Sequence, residues 1–278
     1  MSPVRAQQEA RRVAIQAELY DPITRRFLIE AGIGKGMRVL DIGSRTGAVA
    51  SLASELVGPR GSVLGIEYTE AMVKAATERV SNAGRKNVTF VQADVDTLRL
   101  SSGFDAIVGR FILRDLRDAA KTLRRLSRLL VPGGIIAFQE KIIAIPVTSF
   151  PALTVVEQVQ SWMDETRRHA GVEVALGAEL PRLYRAAGLP SPKVRLDAPV
   201  GYGPDWKGYR LLTETLRGML PLIPLYHIAT EEQIAIGDLE DRMRAEAVRL
   251  GALVVLTPCV GAWAECRHVA RRRAGRTR

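Results

Sequence analysis

A glycine-rich turn beside an acidic residue is the part of this sequence best suited to chemistry. In VLDIGSRTGAVA, residues 39–50, an apolar run reaches Asp41 and then turns through Gly43 and Gly47. Glycine lets the backbone turn sharply and approach a ligand closely, and the N-terminus of a following helix offers unpaired N–H groups to a polar or anionic group. The stretch therefore predicts a binding site for a small polar ligand.

Two further acidic residues follow the next two apolar runs. Glu67 ends the run 62–67, and Asp94 follows the run 88–92. A carboxylate at the first position can accept hydrogen bonds from both hydroxyls of a ribose, and one at the second can accept from an adenine amino group. If the three runs are parallel strands, Asp41, Glu67 and Asp94 meet at one sheet edge, where they favour an adenosine-containing ligand.

Alternating strands and helices must position these residues. Short apolar runs rich in β-branched residues predict strands at 37–42, 62–67, 88–92, 104–108 and 134–139, and helical spacing predicts helices at 46–57, 69–83 and 115–130. This alternation is typical of a parallel sheet covered on both faces. The expected fold class is α/β, a Rossmann-like doubly wound, mostly parallel sheet.

The second half of the chain predicts a helical lid inserted before the last strand. Helical patterns occupy 150–170, 179–187, 206–220 and 230–250, with strands at 193–196, 253–256 and 261–266. The expected division is an N-terminal helix (1–20), a cofactor-binding core (21–145), the rest of the core with an inserted helix (146–200), a lid (201–251), a final strand region (252–266) and a basic tail (267–278).

Composition excludes several classes of protein. The formal charge of +10 over 278 residues comes largely from six arginines after residue 266, so no nucleic-acid partner is expected. There is no run of ~20 apolar residues, and the N-terminus lacks an apolar signal-peptide core; we expect no membrane span and a cytoplasmic location. Two cysteines and three histidines form no disulfide framework or metal cluster.

With these motifs, the chain resembles the class I S-adenosylmethionine-dependent methyltransferases of the small-molecule type. The resemblance spans roughly residues 20–200 and includes the glycine turn, Glu67, the segment FDAIVGRFIL and the segment LLVPGGIIAFQE. It implies S-adenosylmethionine as cofactor and a small-molecule substrate from a biosynthetic pathway such as natural-product synthesis. The oligomeric state, a homodimer included, stays open.

The resemblance also implies residue roles. Backbone groups of Gly43 and Ser44 would contact the amino-acid part of the cofactor, and Glu67 would hold the ribose hydroxyls. Tyr68 and Met72 would pack against the adenine or the ribose. Asp94 would bind the adenine amino group, with Val95 packing beside it. Arg110, expected just after the fourth strand, would offer its backbone carbonyl to the ammonium group, and Tyr20, expected just before the first core helix, would close over the methionine end.

Arg45 departs from the family pattern, which has a second glycine there. Its side chain either pairs with the carboxylate of the cofactor, points to solvent, or crowds the site.

Residues of the second half leave their roles open. His227 is the candidate general base, since a histidine titrates near neutral pH; the alternative is a surface-loop histidine. Asp115 and Asp118 either cap the next helix or touch substrate. The aromatic residues Tyr202, Trp206 and Tyr209 either line a substrate pocket or pack between helices.

Methyl transfer to O, N or C of a small molecule is the leading function. One alternative is an S-adenosylmethionine-binding enzyme that promotes a cyclisation without transferring methyl, and another is an RNA methyltransferase. A nicotinamide-dependent dehydrogenase is less favoured, because the turn does not follow the GxGxxG spacing.

Overall fold

A seven-stranded sheet forms the centre of the computed structural model, which describes residues 3–266, with side chains from residue 7 onwards. The basic tail 267–278 lies outside the described residues. The strand order is β3-β2-β1-β4-β5-β10-β7, with β1 to β5 parallel and β10 antiparallel to both of its neighbours. Its strands are β1 (Arg38–Ile42), β2 (Ser62–Glu67), β3 (Val88–Gln92), β4 (Phe104–Arg110), β5 (Leu130–Lys141), β7 (Lys193–Asp197) and β10 (Cys259–Cys266). The predicted doubly wound, mostly parallel fold is confirmed.

Helices cover the sheet because its central strands are apolar on both faces. Strand β4 is buried at six of its seven positions, so neither face can be left to water. The helices are α1 (Pro3–Glu30), α2 (Ala48–Val57), α3 (Glu70–Asn82), α4 (Ala119–Ser127), α5 (Thr154–His169), α6 (Leu176–Ala186), α7 (Gly208–Met219), α8 (Glu231–Ile234) and α9 (Leu239–Leu250). None of the helices within residues 3–266 is long and apolar enough to cross a bilayer.

A second layer of structure packs beyond the sheet. Strands β6 (Thr148–Phe150), β8 (Val200–Gly201) and β9 (Leu253–Val255) form a small antiparallel sheet in the order β6-β9-β8. Helices α1, α5, α7 and α9 share one hydrophobic cluster with this sheet, around Trp162, Tyr209 and Met243. The insertion therefore has its own core and supplies side chains above the main sheet.

The structure corrects several predicted boundaries. Helix α1 continues to Glu30 through Pro22, so no boundary falls at residue 20. The predicted helix 230–250 is two helices, because Ala235 adopts a left-handed conformation between them. The predicted strand 253–256 pairs with β6 and β8 in the small sheet rather than joining the main one. The sheet that this strand joins depends on hydrogen bonds to strands distant in the sequence, which a local sequence pattern does not reveal.

The predicted helix 115–130 is also shorter than expected. It is a 3-10 turn at Leu113–Asp115 followed by α4. The Asp118 side chain caps α4 by accepting from the Lys121 N–H, which agrees with the helix-capping alternative. Asp115 lies in the 3-10 turn and does not cap α4. Asp115 is thereby free to face the site described next.

Candidate functional site

The turn after β1 is held by the neighbouring strand. The N–H groups of Gly43 and Ser44 both donate to the Ile66 carbonyl, at 2.9 and 3.0 Å. Gly43 has φ +68°, and a Cβ there would lie 2.5 Å from the Ile112 side chain, so only glycine fits. These two N–H groups are therefore paired within the sheet edge, and the expected backbone contact of Gly43 and Ser44 with a cofactor stays a prediction.

Asp41 lies beneath this turn. Its side chain is fully buried, and its carboxylate oxygens make no hydrogen bond of normal geometry among the described residues. Burial raises the pKa of Asp41 to about 7, although Ser44 and Arg110 lie near enough to lower it in part. Of the three predicted acidic residues, Asp41 is fully buried under the turn, Glu67 is buried at the end of β2, and Asp94 is partly exposed.

Glu67 is the best-positioned acceptor at this edge. At the end of β2, its carboxylate accepts from the backbone N–H groups of Arg45 (2.8 Å) and Tyr68 (2.9 Å). The side chain is 9% exposed. A carboxylate has about four lone-pair positions, so two N–H donors fix its orientation and leave capacity for two more donors. This is a rigid acceptor suited to a pair of hydroxyl groups.

A shallow pocket of about 430 Å³ lies beyond the ends of β2 and β3, and its lining begins at Tyr68, the residue after Glu67. Tyr68, 70% exposed, and the half-buried Asp94 both line it. Asp94 Oδ1 accepts the Asp96 N–H at 2.8 Å, and Val95 is buried beside it. Met72 lies in the first turn of α3, which Thr69 caps. Tyr68 and Asp94 therefore share one pocket, and Glu67 lies directly before it at the end of β2; we call this sheet edge the rim.

Arg45 bridges two elements above the turn. Its guanidinium contacts Glu9 of α1 and Asp115 of the 3-10 turn, each at 3.1 Å, and its side chain is 30% exposed. The residue has φ +47°, a region that glycine favours and that strains other residues. The arginine therefore joins α1 to the loop after β4, a pairing that the sequence did not predict; its role towards the cofactor stays a prediction.

Substituting Arg45 separates backbone strain from ion pairing. Arg45→Gly and Arg45→Ala both lose the two half-exposed ion pairs, but only glycine relieves the left-handed conformation, so we expect Arg45→Gly to be more stable than Arg45→Ala by about 1 kcal/mol. Urea unfolding followed by circular dichroism measures the difference. An alanine variant as stable as the glycine variant would contradict a strained Arg45.

Tyr20 and Arg110 differ from their expected positions. Tyr20 lies inside α1, and its hydroxyl donates to the Thr257 carbonyl at 2.6 Å, with the ring edge-on to Phe111. Arg110 is the last residue of β4, not a residue after it, and its buried guanidinium donates to Asp21 and Thr24 of α1, each at 2.8 Å. Both side chains attach α1 to the sheet.

Glu140 organises the loop after β4, and sequence reasoning missed it. Its Oε1 accepts from the N–H groups of Ile112 (2.8 Å) and Leu113 (2.7 Å), and burial raises the pKa of Glu140 to about 7 despite those bonds. The same loop packs Ile112 against Gly43 and Phe111 against Tyr20. One buried carboxylate thus shapes the wall between the turn and α1.

A larger cavity of about 760 Å³ opens on the other side of Arg45. Helices α1, α5 and α7, the end of β5 and the residues between β9 and β10 line it. Five basic side chains line it against three acidic ones: Arg12, Arg45, Arg114, Lys141 and Arg167 against Glu9, Asp115 and Glu173. The chamber is therefore basic, with an apolar side formed by residues such as Phe111, Met163 and Leu211.

The predicted general base lies elsewhere. His227 is exposed in a turn, with φ +55° and its N–H bonded to the Pro224 carbonyl, and it is absent from the described lining of this cavity. Tyr202 is 76% exposed, and Trp206 packs edge-on against the buried Tyr209. Packing between elements, the second alternative, accounts for Trp206 and Tyr209.

Lys141 is an ionisable residue of the cavity that the sequence analysis did not identify. It follows GGIIAFQE at the end of β5, so the rule that placed Glu67 and Asp94 at the carboxyl edge applies to it as well. The available signal was the pair of charged residues, Glu140 and Lys141, that closes the strand after its apolar run.

A family profile described as "Methyltransferase domain" matches residues 33–188, more than half of the chain. The chain belongs to this methyltransferase family. The strand order and the acidic rim agree with that membership, and the resemblance to class I S-adenosylmethionine-dependent methyltransferases is confirmed.

Curated methyltransferases match this chain over part of its length. The ubiquinone/menaquinone biosynthesis C-methyltransferase UbiE of Pseudomonas entomophila is 39% identical over 113 residues, which is 40% of this chain and 44% of that protein. The chain therefore aligns with less than half the length of this curated relative.

Two solved structures share the fold over most of the chain. The YcgJ protein from Bacillus subtilis is 17% identical with a TM-score of 0.54, covering 88% of this chain and 98% of that one. The [4+2]-cyclase SpnF is 16% identical with a TM-score of 0.52, covering 89% and 82%. At such identities the likeness concerns the fold alone.

Proposed function

We propose that this protein binds S-adenosylmethionine at the rim formed by Glu67 and Asp94 and transfers its methyl group to a small molecule held in the basic cavity. The observation that carries the proposal is the Glu67 carboxylate, which two backbone N–H groups hold at the end of β2, one residue before the pocket that Tyr68 and Asp94 line. Family membership supports the same chemistry.

The residues at the rim fit an adenosyl group. Ribose hydroxyls are hydrogen-bond donors, and Glu67 is an acceptor with lone pairs left over after its two backbone donors. An adenine amino group is also a donor and suits Asp94, with Val95 and the exposed Tyr68 as apolar surfaces beside it. We assign Met72, Gly43 and Ser44 to the same site as the walls nearest this rim.

S-Adenosylmethionine, when bound, supplies a methyl group on a sulfonium that a nucleophile can displace. The protein contributes position, because an in-line displacement needs the nucleophile about 3–3.5 Å from the reacting carbon. Tyr20 and Phe111 stand in the wall of the cavity. Arg110 fixes α1 through Asp21 and Thr24, and α1 carries Tyr20. Tyr20 and Phe111 would therefore position the acceptor, and Arg110 would act through α1.

The acceptor is proposed to be a small molecule rather than RNA. A cavity of about 760 Å³ lies within the range of small-ligand sites, and helices surround it. We expect acceptor turnover to vary little between 50 and 200 mM salt, whereas an RNA substrate would show a steep loss. We also propose that the protein is located in the cytoplasm. Whether it forms a homodimer is tested by measuring its mass in solution by light scattering.

Calorimetric titration with S-adenosylmethionine tests the cofactor assignment, with NAD as the matched nucleotide control. We expect saturable binding of S-adenosylmethionine and of S-adenosylhomocysteine, and no heat with NAD. Saturable NAD binding without S-adenosylmethionine binding would overturn the proposal.

Methyl transfer itself is tested by mass spectrometry. Incubation with candidate acceptors and cofactor labelled with ¹³C in the methyl group should yield a labelled product together with S-adenosylhomocysteine. A converted acceptor that carries no label, with the cofactor intact, would contradict methyl transfer and favour the cyclisation alternative.

A further inference from the structure

We propose that Lys141 accepts the proton of the substrate in the basic cavity, and that the substrate therefore carries a weakly acidic O–H group, a phenol or an enol. This inference rests on the proposed function and adds to it the identity of the proton acceptor and the chemical class of the acceptor molecule.

The position of Lys141 supports a direct contact with substrate. Its side chain lines the cavity of about 760 Å³ at the end of β5, with Nζ 3.0 Å from Gln16 Oε1. Gln16 also accepts from Arg12, at 3.2 Å. Among the described residues no carboxylate forms an ion pair with Lys141 within 4 Å, so its amine lacks the partner that most buried lysines need.

Charges from several elements surround this amine. Half-burial in the cavity lowers the pKa of Lys141 to about 7, and nearby positive charges lower it further. The Cys259 thiol raises it in part, but burial keeps that thiol neutral, with a pKa of about 12. The groups that face Lys141 are Arg12, Gln16 and Tyr20 of α1, Phe111 and Arg114 after β4, Arg167 of α5 and Cys259 of β10.

The cavity also accommodates the protonated form. Nζ lies 4.7 Å from the centre of the Tyr20 ring and 5.0 Å from that of Phe111. Aromatic faces attract an ammonium group by about 0.5–2 kcal/mol. The amine can therefore be neutral before reaction and cationic after it, which a general base requires.

The proton transfer balances with methyl transfer. The substrate O–H bond breaks and its proton goes to the lone pair of Nζ. The electron pair left on the substrate oxygen, or on the carbon conjugated with it, forms the bond to the methyl carbon, and the broken carbon–sulfur bond leaves its pair on sulfur. A phenol or an enol suits this cavity better than a simple alcohol, because its oxygen gives up a proton more readily and Arg12, Arg114 and Arg167 line the cavity that would hold the resulting negative charge.

The pKa of Lys141 can be measured without turnover. Competitive acetylation of the intact protein across pH 5–11, read by mass spectrometry, gives the reactivity of each lysine, and the exposed Lys74 of α3 serves as internal reference. We expect Lys141 to reach half-maximal labelling at a pH well below that of free lysine. Half-maximal labelling near pH 10, or no labelling at any pH, would overturn the inference.

A phenolic probe tests the contact. We expect 4-nitrophenol to bind the wild-type protein as phenolate, visible in its absorbance, and Lys141→Met to weaken that binding at least tenfold with Lys74→Met unchanged. Equal phenolate binding by Lys141→Met would overturn the assignment. Failure of S-adenosylmethionine to bind the wild type would remove the proposed function, whereas ordinary lysine behaviour at Lys141 with normal cofactor binding would remove only this inference.

Discussion

Glu67→Ala is expected to weaken S-adenosylmethionine binding at least tenfold. The substitution removes the acceptor for the ribose hydroxyls and leaves the N–H groups of Arg45 and Tyr68 without their partner. A hydrogen bond to a charged group contributes about 1.5–3 kcal/mol. If the ribose makes two such bonds to Glu67, the loss of affinity exceeds tenfold. Calorimetric titration measures the change in Kd directly.

Two variants sharpen this experiment. Glu67→Gln keeps one oxygen acceptor and should fall between wild type and alanine. Glu78→Ala removes an exposed carboxylate from α3 and should bind like wild type. Binding by Glu67→Ala within twofold of wild type, with Glu78→Ala also unchanged, would show that the ribose lies elsewhere.

Glu140→Ala is expected to destabilise the fold by about 2–5 kcal/mol. The alanine leaves the buried N–H of Leu113 and the neighbouring N–H of Ile112 without an acceptor, each at about 1–3 kcal/mol, and opens a cavity. Glu140→Gln is the matched control, because both N–H groups bond the same oxygen, Oε1, which glutamine retains. Urea unfolding of the three proteins measures the difference.

The same variants predict a pH dependence. The folded-state pKa of Glu140 is about 7 against an ordinary 4.5, so the folded protein keeps this proton while the unfolded chain loses it. Wild type should match Glu140→Gln below about pH 4.5 and become less stable than it as pH rises to 7, by up to about 3 kcal/mol. A constant difference between pH 4.5 and 8 would contradict a raised pKa.

Much of the core could be read from the sequence because its signals are local. The strand 88–92 has the predicted bounds, and Thr69 caps α3 as the pattern indicates. The contacts within the site could not be predicted in the same way, because the glycine-rich turn does not indicate which distant residues pack against it. Arg45 shows this: its partners are Glu9 and Asp115, 36 and 70 residues away in the sequence. Only folding brings such residues together.

His227 and Lys141 show that the sequence alone also did not identify the titratable residue of the cavity. A histidine in a proline-rich connection indicated a base, but its turn leaves it exposed, whereas a lysine at the end of an apolar strand lines the cavity. The environment of a titratable group depends on burial and on charges from other elements, so residue type alone does not predict its pKa.

Apolar periodicity and glycine placement within the sequence were enough to determine the doubly wound sheet, its order of elements and the edge where Glu67 and Asp94 lie. The tertiary structure alone decided that Asp41 is buried beneath that edge, that Glu140 holds the loop after β4, and that α1, α5 and α7 enclose a basic cavity around Lys141. The physical reason is that secondary structure follows from neighbours along the chain, whereas burial and electrostatics follow from neighbours in space.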